Sequence, residues 1–145
     1  MQKNIGYGKM DYTIGTVVKF ETAHRQLGDT SKCGFLHGHN WTAEITITAS
    51  NLNSIGYVVD FKRLKDAIND SFDHKTILNK DDMLVKLLID SNQRVSAIFG
   101  NPTCEVLAGF VLEIIKVSID KTVVIKNITV KLFENDNSYA EVHFP

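Results

Sequence analysis

His24, His37 and His39 have the type and spacing for metal chemistry. Two of them stand two apart in Cys33-Gly34-Phe35-Leu36-His37-Gly38-His39-Asn40-Trp41. In an extended segment alternate side chains share a face, so His37 and His39 point one way. Gly38 between them leaves the opposite face open and lets the backbone bend. The third imidazole, His24, ends the stretch Phe20-Glu21-Thr22-Ala23-His24. Three neutral nitrogens and no fourth protein ligand describe a catalytic zinc site, with the fourth position kept for water or substrate. Zinc is favoured over iron because no carboxylate joins the three nitrogens.

Other residues offer acids and bases. Cys33 lies four residues before His37 in a glycine-bearing loop. A nearby Zn²⁺ favours its thiolate, which makes it a base or nucleophile. It serves equally well as a fourth zinc ligand in a structural site, and spacing leaves both readings open. Asp73-His74 follows a helix. It reads either as a carboxylate–imidazole proton relay or as a histidine well placed on the helix dipole. Glu134 shares the face of Ile128, Val130 and Leu132, and an inward carboxylate needs a partner. That partner belongs either to the site or to a salt bridge at the sheet rim. Glu105 sits in the first turn of a helix, where an acid is favourable anyway, and Thr103 suits a capping hydroxyl. Cys104 reads as inert, and His143, on the face of Glu141, as a surface residue.

The elements that hold these residues follow from periodicity. Ile14 to His24 alternates as a strand ending on His24. Residues 26–36 form a loop. Asn40 to Ser50 is a second strand whose apolar face (Trp41, Ala43, Ile45, Ile47, Ala49) extends backwards through His39 and His37. The pair is expected to be antiparallel. After a turn at 51–56 and a short extended Tyr57-Val58-Val59, Asp60 caps a helix from Phe61 to about Phe72. Met83 to Ile89 reads as a short helix and Arg94 to Phe99 as a short strand, in a stretch of less clear pattern over 80–100. Asn101 and Pro102 read as the cap and first turn of a second long helix with Val106, Leu107, Phe110, Val111, Ile114 and Ile115 buried. Lys126 to Glu134 and Tyr139 to Phe144 are the last two strands, and residues 1–13 a loose arm. The expected fold is α+β: a four-stranded antiparallel sheet, ββααββ, with two helices on one face.

The totals set bounds. The chain has 145 residues, enough for one domain over 1–145 with a real core. With 43% apolar and 23% charged residues and a net charge of −1, it shows no broad nucleic-acid or membrane footprint. A small anionic substrate needs only a local basic cluster. Met1–Met10 has no apolar stretch for a signal peptide, and no run approaches membrane-spanning length. Two cysteines without an export signal point to a reduced, cytoplasmic setting.

Taken together, the motifs resemble the 6-pyruvoyl-tetrahydropterin synthase / 6-carboxy-tetrahydropterin synthase family. The blocks are Phe20–His24 with Arg25, Cys33–Trp41, Val59-Asp60-Phe61, Phe72-Asp73-His74 with Leu78-Asn79, Asn101-Pro102-Thr103-Cys104-Glu105, and Val130-Lys131-Leu132-Phe133-Glu134. They run in order across nearly the whole chain. The resemblance implies a tunnelling fold, in which sheets of several subunits close into a barrel, and a homohexamer of two stacked trimers. It implies Zn²⁺ on His24, His37 and His39, Cys33 as the proton-abstracting base, and Asp73-His74 as a relay reaching a neighbouring subunit's site. It implies Glu134 as the anchor of the pterin ring, with Thr103 and Glu105 close by. The implied substrate is 7,8-dihydroneopterin triphosphate. The short Cys-x-x-x-His-Gly-His spacing resembles the branch that makes 6-carboxy-5,6,7,8-tetrahydropterin, acetaldehyde and triphosphate for queuosine and other 7-deazapurines. The alternative product is the 6-pyruvoyl compound of the tetrahydrobiopterin route. An alternative of another class is a non-catalytic, zinc-stabilised binding protein. Arg25, Lys32 and Lys75 lie near the motifs as candidate triphosphate contacts. The stretch 80–100 is longer than in compact bacterial members.

Overall fold

The computed structural model describes residues 9–145. Eight residues of the expected N-terminal arm lie outside this range, and its end, Tyr12 and Thr13, belongs to the first strand. Strands β1 (Tyr12–His24) and β2 (His37–Ala49) form an antiparallel pair in continuous register, with His24 opposite His37, Thr22 opposite His39 and Phe20 opposite Trp41. The alternation is as expected. Val18, Phe20, Trp41, Ala43, Ile45 and Ile47 are buried, while Lys19, Glu21, Asn40 and Glu44 are exposed. Gly38 does not bend the chain. It sits in the ladder opposite Ala23.

Helix α1 (Phe61–Phe72) begins where Asp60 accepts from the backbone N–H of Lys62 and Arg63. Such a cap contributes about 1 kcal/mol. Leu64, Ile68 and Phe72 face the sheet. The chain then returns as β3 (Lys75–Asn79), parallel to the end of β1. Helix α2 (Leu84–Asp90) leads to β4 (Val95–Ile98), parallel to β3. Helix α3 (Cys104–Ser118) buries Leu107, Ala108, Val111, Leu112 and Ile115, whereas Phe110 remains partly exposed. Strands β5 (Ile125–Asn135) and β6 (Ser138–Phe144) complete the sheet. Its order is β4-β3-β1-β2-β5-β6.

Three expectations are corrected. The sheet has six strands, not four, and is mixed. The four antiparallel strands are present, and β3 and β4 extend them in parallel. The short strand expected over Arg94–Phe99 is β4, whereas β3 has five residues, too few for a period to be read. Three α-helices stand among the described residues where the fold was expected to have two, the third being the short helix read over Met83–Ile89. Asn101 is not the cap of α3, and Pro102 is not in its first turn. Thr103 caps it, accepting from the N–H of Val106 at 3.2 Å. The Asn101 side chain is occupied elsewhere and does not cap the helix. The Asn101 amide instead holds the loop after β1, accepting from Leu27 N–H and donating to Leu27 C=O, each at 3.0 Å.

The buried apolar residues form one cluster between the sheet and helices α1 and α3. None of the described helices is long and apolar enough to cross a membrane.

Candidate metal centre and active site

The register of β1 and β2 assembles the three histidines without help from a loop. His24 ends one strand, His37 opens the next directly opposite, and His39 lies two residues further on the same face. Their ring centroids are 4.6 Å (His24–His37), 4.9 Å (His37–His39) and 5.3 Å (His24–His39) apart. Strands β2 and β5 pair as far as Thr42 and Phe133. The next step brings the inward Glu134 to the same end of the sheet. Ligand atoms of His24, His37, His39 and Glu134 lie within 4.8 Å of one another. The inward face that parity gives Glu134 is thus the face of the three histidines.

Backbone carbonyls orient the rings. His24 Nδ1 lies 2.7 Å from Pro102 C=O, and His37 Nδ1 lies 2.7 Å from Phe35 C=O. A carbonyl only accepts, so each Nδ1 carries a proton, and in the neutral ring Nε2 is then the bare lone pair. The Nε2 atoms of His24 and His39 are buried and have no hydrogen-bond partner. Burial is the main cause that lowers the pKa of both His24 and His39, with His37 pulling the same way; the Pro102 contact and Glu134 oppose it at His24, and Glu134 at His39. Neutral imidazoles with orphaned, convergent nitrogens fit a metal ion. Trp41 forms the apolar wall behind them, its ring edge-on to His24 and His39 and its indole N–H donating to Thr22 C=O at 3.3 Å.

Cys33 lies in a short 3-10 turn (Lys32–Gly34) of the loop joining β1 to β2, and it is exposed. It does not join the four convergent groups. The turn is fixed by its backbone: Gln26 N–H donates to Cys33 C=O at 2.8 Å, and Ser31 caps it. Gly34 is required there, because a Cβ would lie 2.0 Å from the Asp29 carbonyl oxygen.

Asp73 and His74 form a pair, with His74 Nδ1 2.9 Å from Asp73 Oδ2. The other Asp73 oxygen accepts from Glu21 N–H at 2.9 Å. This backbone bond is the main cause that keeps the Asp73 pKa low, with His74 adding to it. His74 has a positive φ of 55° and is two-thirds exposed, near Glu21 on the outward face of β1. The histidine cluster occupies the inward face, so the chain's own pair is turned away from it.

Thr103 and Glu105 stand at the start of α3. Cys104 between them donates to Leu132 C=O at 3.1 Å, which docks the helix beside β5. Burial pushes the Cys104 thiol up to about 11, so it is inert at neutral pH. His143 pairs with Glu141 at 3.0 Å on the surface, as expected.

Sequence reasoning missed Asp82 and Gln26, and it took Arg25 for a candidate triphosphate contact. Arg25 is not a free cation: its guanidinium binds both oxygens of Asp82, each at 2.6 Å. The Asp82 side chain is fully buried, and one oxygen also accepts from Leu84 N–H. The pair ties the end of β1 to the 80–100 segment, and only the charge types of the two residues hinted at it. Gln26 also donates to Pro102 C=O, at 3.2 Å, beside His24.

Comparison with known proteins bears on the whole architecture. The family model described as 6-pyruvoyl tetrahydropterin synthase matches residues 13–144. A protein of Rickettsia bellii named 6-carboxy-5,6,7,8-tetrahydropterin synthase is 35% identical over 86% of this chain and 95% of its own. One of Aquifex aeolicus with the same name is 27% identical over 91% and 98%. Among solved structures, a 6-pyruvoyltetrahydropterin synthase of Plasmodium vivax, a catalytic-residue mutant, has a TM-score of 0.69 at 21% identity, over 93% of this chain and 98% of its own. From end to end of its described strands, this chain belongs to the 6-pyruvoyl tetrahydropterin synthase family.

Proposed function

We propose that the protein is a 6-carboxy-5,6,7,8-tetrahydropterin synthase, acting on 7,8-dihydroneopterin triphosphate and releasing acetaldehyde and triphosphate in a queuosine-type 7-deazapurine route. The observation that carries this is the convergence of His24, His37, His39 and Glu134 at one end of the sheet, beside the loop that bears Cys33. The names of the Rickettsia relatives support the carboxy product.

His24, His37 and His39 would hold a zinc ion. When bound, zinc supplies Lewis acidity to oxygens on the pterin side chain. Cys33 thiolate takes the side-chain proton, and the exposed turn leaves its sulfur accessible. Glu134 receives the amino and ring N–H groups of the pterin, with Thr103 and Glu105 near the ring. Asp73 fixes the Nδ1–H tautomer of His74, leaving Nε2 to take up and return a proton.

The same geometry supports a homo-oligomer. The His74 pair lies on the sheet face opposite its own histidine cluster, so it acts on a neighbouring copy. The outer edge of β6 is unpaired among the described residues, and β3 covers only Thr22–His24 of the other edge of β1. Two open edges of one sheet suit a barrel closed by several copies, as in a hexamer of two trimers. A cytoplasmic setting accompanies a soluble pterin substrate and free thiols.

The test is incubation of zinc-assayed protein with 7,8-dihydroneopterin triphosphate, measuring acetaldehyde and pterin together. Acetaldehyde with a 6-carboxy pterin is expected. A pyruvoyl pterin without acetaldehyde would assign the other product, which the family model's own name favours. No turnover by protein carrying one zinc per chain would leave a binding role.

A further inference from the structure

The 80–100 segment ends beside His74. A groove on the outward face of the sheet is lined by Glu21, Gly38, His74, Lys75, Asn92 and Arg94, among others. Gly38 contributes no side chain, which keeps the groove open. Its full charges are mainly cationic: Lys75 and Arg94 against Glu21 alone. Arg94 is exposed, and its guanidinium has no hydrogen bond or ion pair among the described residues. Its backbone is nonetheless held, because Arg94 C=O accepts from Thr76 N–H at 2.9 Å. Asn92 before it takes a left-handed φ of 60° and closes the turn after α2. The guanidinium thus projects from a fixed strand entry.

The opposite side of His74 differs in sign. There the lining includes Asp73 and Asp136, with Lys19 as the counter-charge. A polyanion approaching His74 is therefore directed to the Arg94 side. An unpaired guanidinium is suited to phosphate oxygens because it offers planar paired donors.

We propose that Arg94, assisted by Lys75, binds the phosphate tail of the substrate, and that it does so in the site of the neighbouring copy served by the same chain's His74. This rests on the functional reading above. Arg94 is a binding residue that holds the tail and stabilises its charge as it leaves. The segment 80–100 thereby adds a substrate contact to the face that already carries the relay.

The experiment has two parts. Tripolyphosphate is titrated calorimetrically into wild-type protein and Arg94→Ala, and steady-state kinetics are measured with 7,8-dihydroneopterin triphosphate. The expected result is about tenfold weaker tripolyphosphate binding and about tenfold higher KM in the variant. Binding of unphosphorylated dihydroneopterin stays unchanged, and Arg94→Lys recovers part of the loss. Equal tripolyphosphate binding by both proteins overturns the proposal. If wild type binds tripolyphosphate through Arg94 but turns over no pterin, the functional reading fails and the anion site stands as a site for a free polyphosphate.

Co-expressed chains then test the sharing. Chains with both His74→Ala and Arg94→Ala are mixed with Cys33→Ala chains. Active sites in this mixture take Cys33 from the first chain and His74 with Arg94 from the second, so a wild-type KM is expected. The reciprocal mixture, Cys33→Ala with Arg94→Ala against His74→Ala, is expected to show the raised KM. The reverse pattern, or no recovery of activity in either mixture, overturns the placement in a neighbouring copy.

Discussion

His39 Nε2 and Glu134 Oε1 lie 3.0 Å apart, yet no hydrogen bond is aligned between them. Both atoms instead face the region where the His24 and His37 nitrogens converge. Glu134 thus stands between two roles, metal ligand and pterin anchor. Glu134→Gln is expected to keep one zinc per chain by elemental analysis while kcat/KM falls about a hundredfold, the scale of a lost charge-assisted hydrogen bond. Zinc lost in proportion to activity would make Glu134 a ligand instead.

Removing the metal tests the cluster itself. A chelator is expected to abolish turnover and lower Tm by about 5 °C, as the favoured ligand-bound state is withdrawn. Added zinc restores both. His37→Ala, at a half-buried position, is expected to give folded protein by circular dichroism with a weakened zinc site.

Cys33 separates catalysis from structure. The thiol lies outside the convergent group, so Cys33→Ala is expected to retain zinc and Tm. Its turnover is expected to fall about a thousandfold, within the range of a lost general base. Loss of zinc together with the fold would instead identify a fourth ligand.

Arg25 and Asp82 predict an acid limit to stability. The Arg25 hydrogen bonds are the main cause that lowers the Asp82 pKa in the folded chain. A carboxyl whose folded pKa is depressed stabilises the fold fully above its unfolded value of about 4. That contribution fades as pH falls through the unfolded and then the folded pKa. Arg25 stays charged throughout. Asp82→Ala is expected to cost about 3 kcal/mol in urea unfolding at pH 7, the scale for breaking a buried pair. Its difference from wild type should shrink below about pH 4. A difference independent of pH would remove the ion pair as its source.

Gly34 supports the turn that carries Cys33. Gly34→Ala places a methyl against the Asp29 carbonyl and forces the loop to shift. Turnover is expected to drop about tenfold or more from misplacement of the base, with zinc content unchanged. Unchanged kcat would mean that the loop adapts without moving Cys33.

The parts legible in the sequence were those with long periods. The alternation in β1 and β2 is thirteen residues in each strand and fixed the common face of the three histidines. Parity alone placed Glu134 on that face. Of the two parallel strands, β4 was read as a short strand over Arg94–Phe99, whereas β3 was not legible, because Ile77 and Leu78 are adjacent and both buried, which hides the alternation. The start of α3 was misplaced because Asn101 and Thr103 are both good caps, and the choice depends on the Leu27 backbone far away in sequence. The Arg25–Asp82 pair spans 57 positions and carries no local signal.

The register of β1 and β2 fixes His24, His37 and His39 through backbone bonds, while Cys33 belongs to the connecting loop alone. Ligand geometry and choice of base are therefore independently heritable. Insertions, deletions or a different acid–base residue within positions 28–33 leave the ladder, the Arg25–Asp82 pair and the Phe35 contact to His37 in place. A lineage with this hairpin is free to try new reactions on one unchanged metal platform, and exchanging that loop between relatives is the natural graft for redirecting the chemistry.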